Sequence, residues 1–333
     1  MAKKRKARAA GAVLSFEWRR WAADNLLRGA SSEKVRAALE AEGVPPKEAR
    51  SRVDAILASP VFAAATAHAR EARRLGQVVK MQARARDTAE QPIARVEAID
   101  AGTFYERFYA TGSPLLVEGY ARDWPAAAWT LETFRTRWGD AEVRITEGRE
   151  ADPYYDMRSA EHTRTSTMRA LVDRIEATDA SNDFYMVANN KNLDDPALAG
   201  VRDDLRLDDG ILDPTRFRGC TALWLGPAGT VTPLHHDTSN ILFVQLRGRK
   251  RFRLFAPWET SLFEGATAMY AAVDPERDQV DAREHVVELG PGDALFLPVG
   301  WWHHVRALEA SISLAFVGFH RDNEFDWYRP GSV

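Results

Sequence analysis

The sequence predicts a mainly β protein, a double-stranded β-helix or two-sheet jelly roll, preceded by an N-terminal α-helical module. Up to about residue 90, capping residues frame apolar residues at helical spacing. After Gln91 and Pro92, short apolar runs separated by Gly and Pro turns replace that spacing, which is typical of a jelly roll. No run of about 18 apolar residues occurs, so we expect no membrane span.

Four helices are predicted in the first 90 residues. Ser15 and Gly29 frame the first helix, Gly43 ends the second, and Pro46 suits the first turn of the third. The last helix is rich in Ala and Arg and has few large apolar side chains, so it needs a packing partner to be stable. The predicted ranges are 15–29, 31–43, 45–60 and 61–86.

The rest of the chain alternates short apolar runs with turns, for example at Gly226-Pro227 and Pro291-Gly292. Two of its segments keep helical spacing, at 131–138 and 168–177. The strands are predicted at 113–120, 142–146, 184–187, 221–225, 232–237, 241–246, 251–255, 285–289, 294–298 and 311–317.

The distribution of charge also divides the chain near residue 90. Residues 1–90 contain 19 Lys and Arg against 10 Asp and Glu, whereas the rest of the chain is acidic. We therefore expect a basic flexible tail at 1–10, an α-helical module at 11–90 for dimerisation or substrate binding, and a β domain at 91–333. The basic segment suits contact with nucleic acid or with an acidic peptide, and the alternative is an ordinary solvated helix surface.

Two further features limit the compartment and the kind of metal site. The single cysteine, Cys220, excludes an intrachain disulfide and a cysteine-based metal site, so any metal must use histidine and carboxylate ligands. Charged residues such as Glu17 and Asp24 interrupt the N-terminal segment before an apolar core can form. We therefore expect no export signal and a cytoplasmic protein.

Histidine is the strongest functional signal. Four of the eight histidines stand in two pairs, His235-His236 and His303-His304. Residues two apart in a strand share a face, so His235 and Asp237 can present an imidazole and a carboxylate to one metal. His303 or His304 would complete a set of two histidines and one carboxylate, which favours non-haem Fe(II). The alternative is that the histidine pairs are core or interface residues.

The segments around these histidines are residues 226–237 (GPAGTVTPLHHD), 245–251 (QLRGRKR), 254–257 (LFAP), 290–298 (GPGDALFLP) and 301–305 (WWHHV). Together they resemble the Jumonji-C, or cupin-like, 2-oxoglutarate dioxygenases, and especially the small asparaginyl-hydroxylase-like enzymes. The upstream segments 114–119 (PLLVEG) and 123–125 (DWP) are similar to the strand and turn that open these domains. The resemblance covers roughly residues 93–320 and does not extend to the first 90.

The resemblance implies a set of site residues. The residues implied to bind Fe(II) are His235, Asp237 and His303. The residues implied to bind 2-oxoglutarate are Tyr185, Thr232, Asn240 and Lys250. Lys250 would neutralise the distal carboxylate of this cosubstrate inside an apolar barrel. Asn240 stands one residue earlier than the asparagine of the family, and Ala315 replaces a polar residue of many relatives.

The resemblance implies that Fe(II), O2 and 2-oxoglutarate oxidise a substrate C–H bond and release succinate. The leading expectation is a hydroxylase acting on a side chain of a protein or peptide, and a homodimer paired through helices. An RNA-, tRNA- or ribosome-directed hydroxylase and an N-methyl demethylase are alternatives with the same chemistry. A metal-dependent cupin isomerase, or a dioxygenase independent of 2-oxoglutarate, would keep the histidines without needing Thr232 and Lys250. A non-catalytic cupin-like scaffold would not need the carboxylate of Asp237.

Overall fold

The computed structural model describes residues 15–87, 92–207 and 209–323. The chain divides into two compact units, Met1–Ala89 and Glu90–Val333. This division lies one residue from the boundary that the sequence predicts. The expected basic tail, residues 1–10, lies outside the described residues.

The first unit contains four helices: α1 (Phe16–Leu27), α2 (Ser32–Ala41), α3 (Pro46–Leu57) and α4 (Pro60–Asp87). The hydroxyls of Ser15 and Ser31 accept hydrogen bonds from backbone N–H groups in the first turns of α1 and α2. The buried apolar residues of this unit are Ala22, Val35, Leu39, Ala49 and Val53.

Helix α4 has an incomplete packing surface. Its side chains Val61, Leu75 and Val78 are mostly exposed, which agrees with the thin apolar stripe seen in the sequence. In the part of the chain that the structure describes, no helix is both long and apolar enough to cross a membrane.

The second unit is built mainly from strands. Its α-helices are α5 (Ala101–Phe104), α6 (Leu131–Trp138), α7 (Ser159–His162) and α8 (Met168–Glu176). Its strands are β1 (Ala94–Val96), β2 (Leu115–Val117), β3 (Glu142–Glu147), β4 (Thr163–Thr167), β5 (Phe184–Tyr185), β6 (Thr221–Gly226), β7 (Val231–His235), β8 (Ile241–Arg247), β9 (Lys250–Phe255), β10 (Glu284–Leu289), β11 (Ala294–Leu297), β12 (Trp302–Ala307) and β13 (Ser311–Phe316). Short 3-10 or π turns lie at Tyr105–Tyr109, Pro125–Ala128, Arg149–Ala151, Ala188–Asn190, Asn192–Asp194, Pro196–Asp204 and Thr260–Phe263.

Two sheets form the jelly roll that the sequence predicts. The larger sheet has the strand order β1-β2-β11-β8-β13-β6, and the smaller sheet has the order β10-β9-β12-β7. Strands β1 and β2 pair in parallel, and the other pairs of these two sheets are antiparallel. A third sheet, β4-β3-β5, places β5 beside the larger sheet through a bridge between Met186 and Leu225.

Apolar side chains from both sheets meet in one cluster. Phe243 and Leu295 from the larger sheet pack with Phe252 and Val287 from the smaller sheet. Burial of each large apolar side chain stabilises the fold by roughly 1.5–3 kcal/mol. This packing fixes the separation of the sheets, and therefore the space into which polar side chains of β7, β9 and β12 point.

The turn between β8 and β9 requires glycine at position 248, where φ is +69°. A Cβ atom there would lie 2.3 Å from the Ala310 carbonyl oxygen, whereas one at Gly219, with φ of +71°, would meet open space. Gly248→Ala should lower the free energy of unfolding by about 2–4 kcal/mol, combining left-handed strain with overpacking. Gly219→Ala should cost only the strain, about 1–2 kcal/mol. Urea denaturation of both variants checks this, and equal losses would contradict it.

Candidate metal centre

Two histidines face each other across neighbouring strands of the smaller sheet. His235 is the last residue of β7 and pairs directly with His303 in β12. Their ring centroids are 4.1 Å apart, and both side chains are buried. Antiparallel pairing places opposite residues on the same face of a sheet, so the strand register itself brings the two imidazoles together.

Asp237 completes the group from a position that the sequence did not predict. Strand β7 ends at His235, and Asp237 lies in the following loop, where its carbonyl oxygen accepts a hydrogen bond from Gly300 N–H at 3.1 Å. Its Oδ2 lies 3.3 Å from His303 Nε2 and 3.8 Å from His235 Nε2. The prediction that His235 and Asp237 share one strand face is therefore wrong, although their side chains meet. Asp237 turns inward because its carbonyl oxygen accepts the hydrogen bond from Gly300, and the regular hydrogen bonding of β7 with β12 does not continue to this residue.

Backbone carbonyl oxygens orient both imidazole rings. His235 Nδ1 lies 2.8 Å from the Pro233 oxygen, and His303 Nδ1 lies 2.9 Å from the Trp301 oxygen. A carbonyl oxygen only accepts hydrogen bonds, so each Nδ1 carries the proton in the neutral ring and each Nε2 carries a lone pair. Metal-binding histidines are normally oriented by a partner on the other ring nitrogen in this way.

The pKa shifts favour the ligating protonation states. Burial, and then the neighbouring His303, lower the pKa of His235 to about 4. Burial raises the pKa of Asp237, but the hydrogen bond with His303 and the neighbouring His235 outweigh burial and lower this pKa to about 2. At neutral pH the centre therefore contains an uncharged His235 and an ionised Asp237.

The donor set fits a metal ion. Candidate ligand atoms of His235, Asp237 and His303 all lie within 4.8 Å of one another. Two imidazole nitrogens and a carboxylate oxygen that converge in this way can bind one cation together. Two histidines and one carboxylate are the ligands of non-haem Fe(II) sites that keep open positions for other ligands.

A cavity of about 400 Å³ opens from these three residues and contains a buried lysine. Lys250, the first residue of β9, is 1% exposed, and its Nζ donates a hydrogen bond to the Tyr185 hydroxyl at 2.8 Å. Among the described residues no carboxylate pairs with it, and burial alone lowers its pKa to about 7. Because a buried cation without a counter-ion is unfavourable, Lys250 indicates a site for an anionic ligand.

The other predicted cosubstrate residues divide into two groups. Thr232 and Tyr185 line the same cavity as Lys250, and so does Ala315. Asn240 does not line this cavity, which contradicts its expected contact with the cosubstrate. Its Oδ1 accepts a hydrogen bond from Val299 N–H at 2.8 Å, which ties two loops together. The one-residue shift explains the difference, because the next residue, Ile241, lines the cavity instead.

The second histidine of each pair points away from the centre. The His236 ring packs edge to face on Trp302, with centroids 4.6 Å apart. His304 follows His303 in β12 and therefore lies on the opposite face of the smaller sheet. Of the two candidates for the third ligand, the structure brings His303 to the metal centre.

Three polar residues near the cavity were missed in the sequence. Asp156 lines the cavity with its Oδ2 4.0 Å from Arg149 Nη2, and burial raises the pKa of Asp156 to about 6 despite that charge. Arg149 is buried and donates to the Val231 oxygen at 2.6 Å. Tyr270 stacks on His235, with centroids 5.6 Å apart. Asp156 and Tyr270 lie in irregular loops, so no periodic pattern marks them in the sequence.

A two-sheet jelly roll that places two histidines and a carboxylate beside a cavity defines the class of cupin-type metal sites. The sequence profile described as the cupin-like domain matches residues 101–324, so the chain belongs to the cupin-like domain family.

Curated relatives support the Jumonji-C resemblance. The chain is 29% identical to lysine-specific demethylase 8 of Danio rerio over 245 residues, which cover 67% of this chain and 57% of that protein. It is 25% identical to lysine-specific demethylase JMJ30 of Arabidopsis thaliana over 229 residues, 64% of this chain and 51% of that protein. It is 26% identical to tRNA wybutosine-synthesizing protein 5 of Mus musculus over 258 residues, 71% of this chain and 81% of that protein. The chain thus spans little more than half the length of the demethylases, and the names agree with an oxygenase of the Jumonji-C type.

Proposed function

We propose that this chain is an Fe(II)- and 2-oxoglutarate-dependent oxygenase that hydroxylates a side chain of a protein or peptide. The observation that carries the proposal is Lys250, a buried ammonium in the same cavity as His235, Asp237 and His303. A metal ion alone gives no role to this lysine. A cosubstrate that chelates the metal at one end and carries a carboxylate at the other would use both the metal centre and Lys250.

Each residue has a separate task in this proposal. His235, Asp237 and His303 would hold Fe(II), and Lys250 would bind the distal carboxylate of 2-oxoglutarate. The Tyr185 hydroxyl fixes the Lys250 ammonium at 2.8 Å, and Thr232 offers a further hydroxyl in the same cavity. When bound, Fe(II) and 2-oxoglutarate would supply the activation of O2 that oxidises a substrate C–H bond and yields succinate and CO2.

The cavity wall supports a reaction that must exclude water. Ile241, Phe243 and Leu297 of the larger sheet line the cavity together with Phe252 of the smaller sheet. Apolar walls strengthen the ion pair that Lys250 would form with a carboxylate, because few water dipoles compete. They also protect reactive species from side reactions.

Asp156 supports a substrate with a hydrogen-bond donor. Its Oδ2 is buried, and no hydrogen-bond donor reaches this atom within the described ranges. An amide, ammonium or guanidinium group of a protein side chain would satisfy this oxygen. We therefore infer that Asp156 contacts the substrate.

Two other substrates of the same chemistry have particular support. The similarity to tRNA wybutosine-synthesizing protein 5 and the basic first 90 residues favour an RNA substrate. The names of the demethylase relatives favour N-methyl removal. Mass spectrometry of candidate substrates separates the reactions, because hydroxylation adds one oxygen atom whereas demethylation removes a methyl group as formaldehyde.

The helical unit is the proposed place for partner binding. Val61, Leu75 and Val78 leave apolar surface uncovered on α4. We propose that this surface pairs two copies of the chain or contacts the substrate. Light scattering of the full chain would distinguish a dimer from a monomer.

Anaerobic titration of the Fe(II)-loaded protein with 2-oxoglutarate tests the proposed chemistry. Chelation of Fe(II) by a 2-keto acid produces a visible charge-transfer band, and admission of O2 should then release succinate. Bound iron without this band would contradict the cosubstrate. Absence of both metal binding and turnover would favour the scaffold alternative.

The pKa of Lys250 predicts how cosubstrate binding depends on pH. Below about pH 7 the free protein already carries the ammonium, so affinity for 2-oxoglutarate should be constant there. Above about pH 7 binding must take up a proton, and affinity should fall by up to tenfold per pH unit. Anaerobic titrations between pH 6 and about pH 9 measure this slope. Lys250→Arg should remove the slope because a guanidinium stays charged, and a flat profile in the parent protein would refute the assignment.

A further inference from the structure

A second group of potential metal ligands lies on the outer face of the smaller sheet. His304 of β12 and two carboxylates from the loop between β9 and β10, Asp274 and Glu276, place candidate ligand atoms within 4.8 Å of one another. His304 faces away from the cavity because it follows His303 in the strand. This group therefore belongs to neither the metal centre nor the cavity.

One ring nitrogen of His304 lacks the hydrogen-bond partner that a buried polar group needs. His304 is 2% exposed, and its Nδ1 is fully buried without a hydrogen-bond partner in the described part of the chain. Leaving such a nitrogen unsatisfied costs about 1–3 kcal/mol. The contrast with His235 and His303 is direct, since a carbonyl oxygen accepts a hydrogen bond from Nδ1 in each of those rings.

The two carboxylates are positioned but not saturated. Arg306 Nε donates to Glu276 Oε1 at 2.6 Å and to Oε2 at 2.8 Å, and its Nη2 also donates to Oε2. Asp274 Oδ1 accepts a hydrogen bond from Glu276 N–H at 2.9 Å, and its Oδ2 lies 3.4 Å from the exposed Arg277. A carboxylate offers about four lone-pair sites, so both groups can still accept a metal. The neighbouring Arg253 is paired with Glu284 at 2.6 Å.

We propose that His304, Asp274 and Glu276 form a second site, for a divalent first-row transition metal such as Zn²⁺. One imidazole and two carboxylates are donors that Zn²⁺ and its neighbours in the series accept, whereas Mg²⁺ and Ca²⁺ prefer oxygen ligands alone. The metal would bind the His304 imidazole. It would also neutralise the negative charge of the two carboxylates that the single positive charge of Arg306 does not balance. This site does not depend on the proposed oxygenase activity.

A metal at this site would link two parts of the cavity wall. The loop that provides Asp274 and Glu276 also carries Tyr270, which stacks on His235. Strand β12 carries His304 on one face and His303 on the other. A metal bound by His304, Asp274 and Glu276 would therefore connect the loop that carries Tyr270 to strand β12, which provides His303.

Equilibrium dialysis against Zn²⁺ followed by elemental analysis tests the proposal. The full chain should bind two zinc ions, and the double variant His235→Ala/Asp237→Ala should bind one. Adding Asp274→Asn to the double variant should weaken this remaining ion at least tenfold. Asn keeps the oxygen that accepts from Glu276 N–H, so the loop should keep its fold. Adding Glu276→Gln to the double variant should have the same effect on zinc.

Asp278→Asn in the double variant is the matched control, because Asp278 caps the same loop by accepting from Asp274 N–H at 2.8 Å and lies outside the ligand group. It should leave one zinc bound. Zinc should also raise the thermal midpoint of the double variant. It should not raise that of the double variant that also carries Asp274→Asn. A double variant that binds no zinc, or zinc that survives both Asp274→Asn and Glu276→Gln, would overturn the site.

Discussion

Replacing Asp237 by alanine should abolish Fe(II) binding, 2-oxoglutarate chelation and turnover together, while the protein remains folded. Asp237 is the only carboxylate among the three converging ligands, with its Oδ2 3.3 Å from His303 Nε2. Without it, only two imidazole ligands remain, and we expect the affinity for Fe(II) to fall by more than about 100-fold, since even outer ligand partners contribute 10–100-fold. Turnover should fall below detection.

The metal-free Asp237→Ala protein should stay folded but lose some stability. The folded state lowers the pKa of Asp237 from 3.8 to about 2, so the ionised carboxylate stabilises the fold at neutral pH by roughly 2 kcal/mol. The thermal midpoint of the metal-free variant should therefore fall by several degrees, at about 2–4 °C per kcal/mol. A much larger decrease would mean that Asp237 acts mainly in folding.

Asp194→Asn is the matched control for this experiment. Asp194 lines the same cavity, and its Oδ1 accepts a hydrogen bond from Gly219 N–H at 2.8 Å, which an asparagine oxygen can also accept. We expect normal Fe(II) binding and a normal charge-transfer band. Turnover by Asp237→Ala at the parent rate would contradict the proposed metal ligands. A parent protein without turnover, whose biological function survives Asp237→Ala, would favour the scaffold alternative.

The helices and strands were predictable where the residues of the segment itself carry a capping, proline or apolar-spacing signal. The cap at Ser15 and the proline at Pro46 predicted helix starts within a residue or so of those observed. Strands β6 to β11 and β13 also lie close to their predicted ranges. Strand β12 was not predicted, because Trp302 and His304 are buried on one face while His303 is buried on the other, and alternation disappears when both faces are covered. Strand β1 has only three residues, and β4 (TRTST) contains no apolar residue, so neither shows an apolar alternation.

The site was predictable in its chemistry and less so in its geometry. Histidine pairing and the family motifs indicated His235, Asp237, His303 and Lys250, which the structure brings to one cavity. Local alternation could not show that β7 ends before Asp237, because a tertiary hydrogen bond from Gly300 decides this. Asp156 comes to the cavity through an irregular loop, and such contacts depend on the whole fold rather than on neighbours in sequence.

Lys250→Met should eliminate 2-oxoglutarate binding, leave Fe(II) binding intact and make the protein more stable. Burial lowers the pKa of Lys250 from 10.5 to about 7, so the folded state opposes its charge. Below about pH 7 the cost of burying this charge destabilises the fold by roughly 5 kcal/mol, at 1.36 kcal/mol per pKa unit. Methionine has a similar shape and no charge. The loss of the Lys250 hydrogen bond to Tyr185 costs about 1 kcal/mol and does not offset the gain.

The stabilisation should have a defined pH dependence. The folded pKa of Lys250 lies below the unfolded one, so the parent gains stability as pH rises from about 7 towards 10.5. The difference between Lys250→Met and the parent should therefore be largest near pH 7 and shrink towards pH 10. Near pH 7 the substitution Lys250→Met should raise the thermal midpoint by several degrees, at about 2–4 °C per kcal/mol. Calorimetry of the metal-free proteins at several pH values measures this.

Arg251→Met is the control that shows whether replacing any basic residue of β9 by methionine stabilises the protein. Arg251 follows Lys250 in β9 and forms an exposed ion pair with Glu288 at 2.7 Å. Exposed ion pairs contribute about 0–1 kcal/mol, so stability should change little and 2-oxoglutarate should bind normally. A residue kept at a cost in stability is typical of a binding site, where a charge is maintained for its ligand. If Lys250→Met lowered stability and still bound 2-oxoglutarate, Lys250 would be a structural residue and the cosubstrate would have to bind elsewhere.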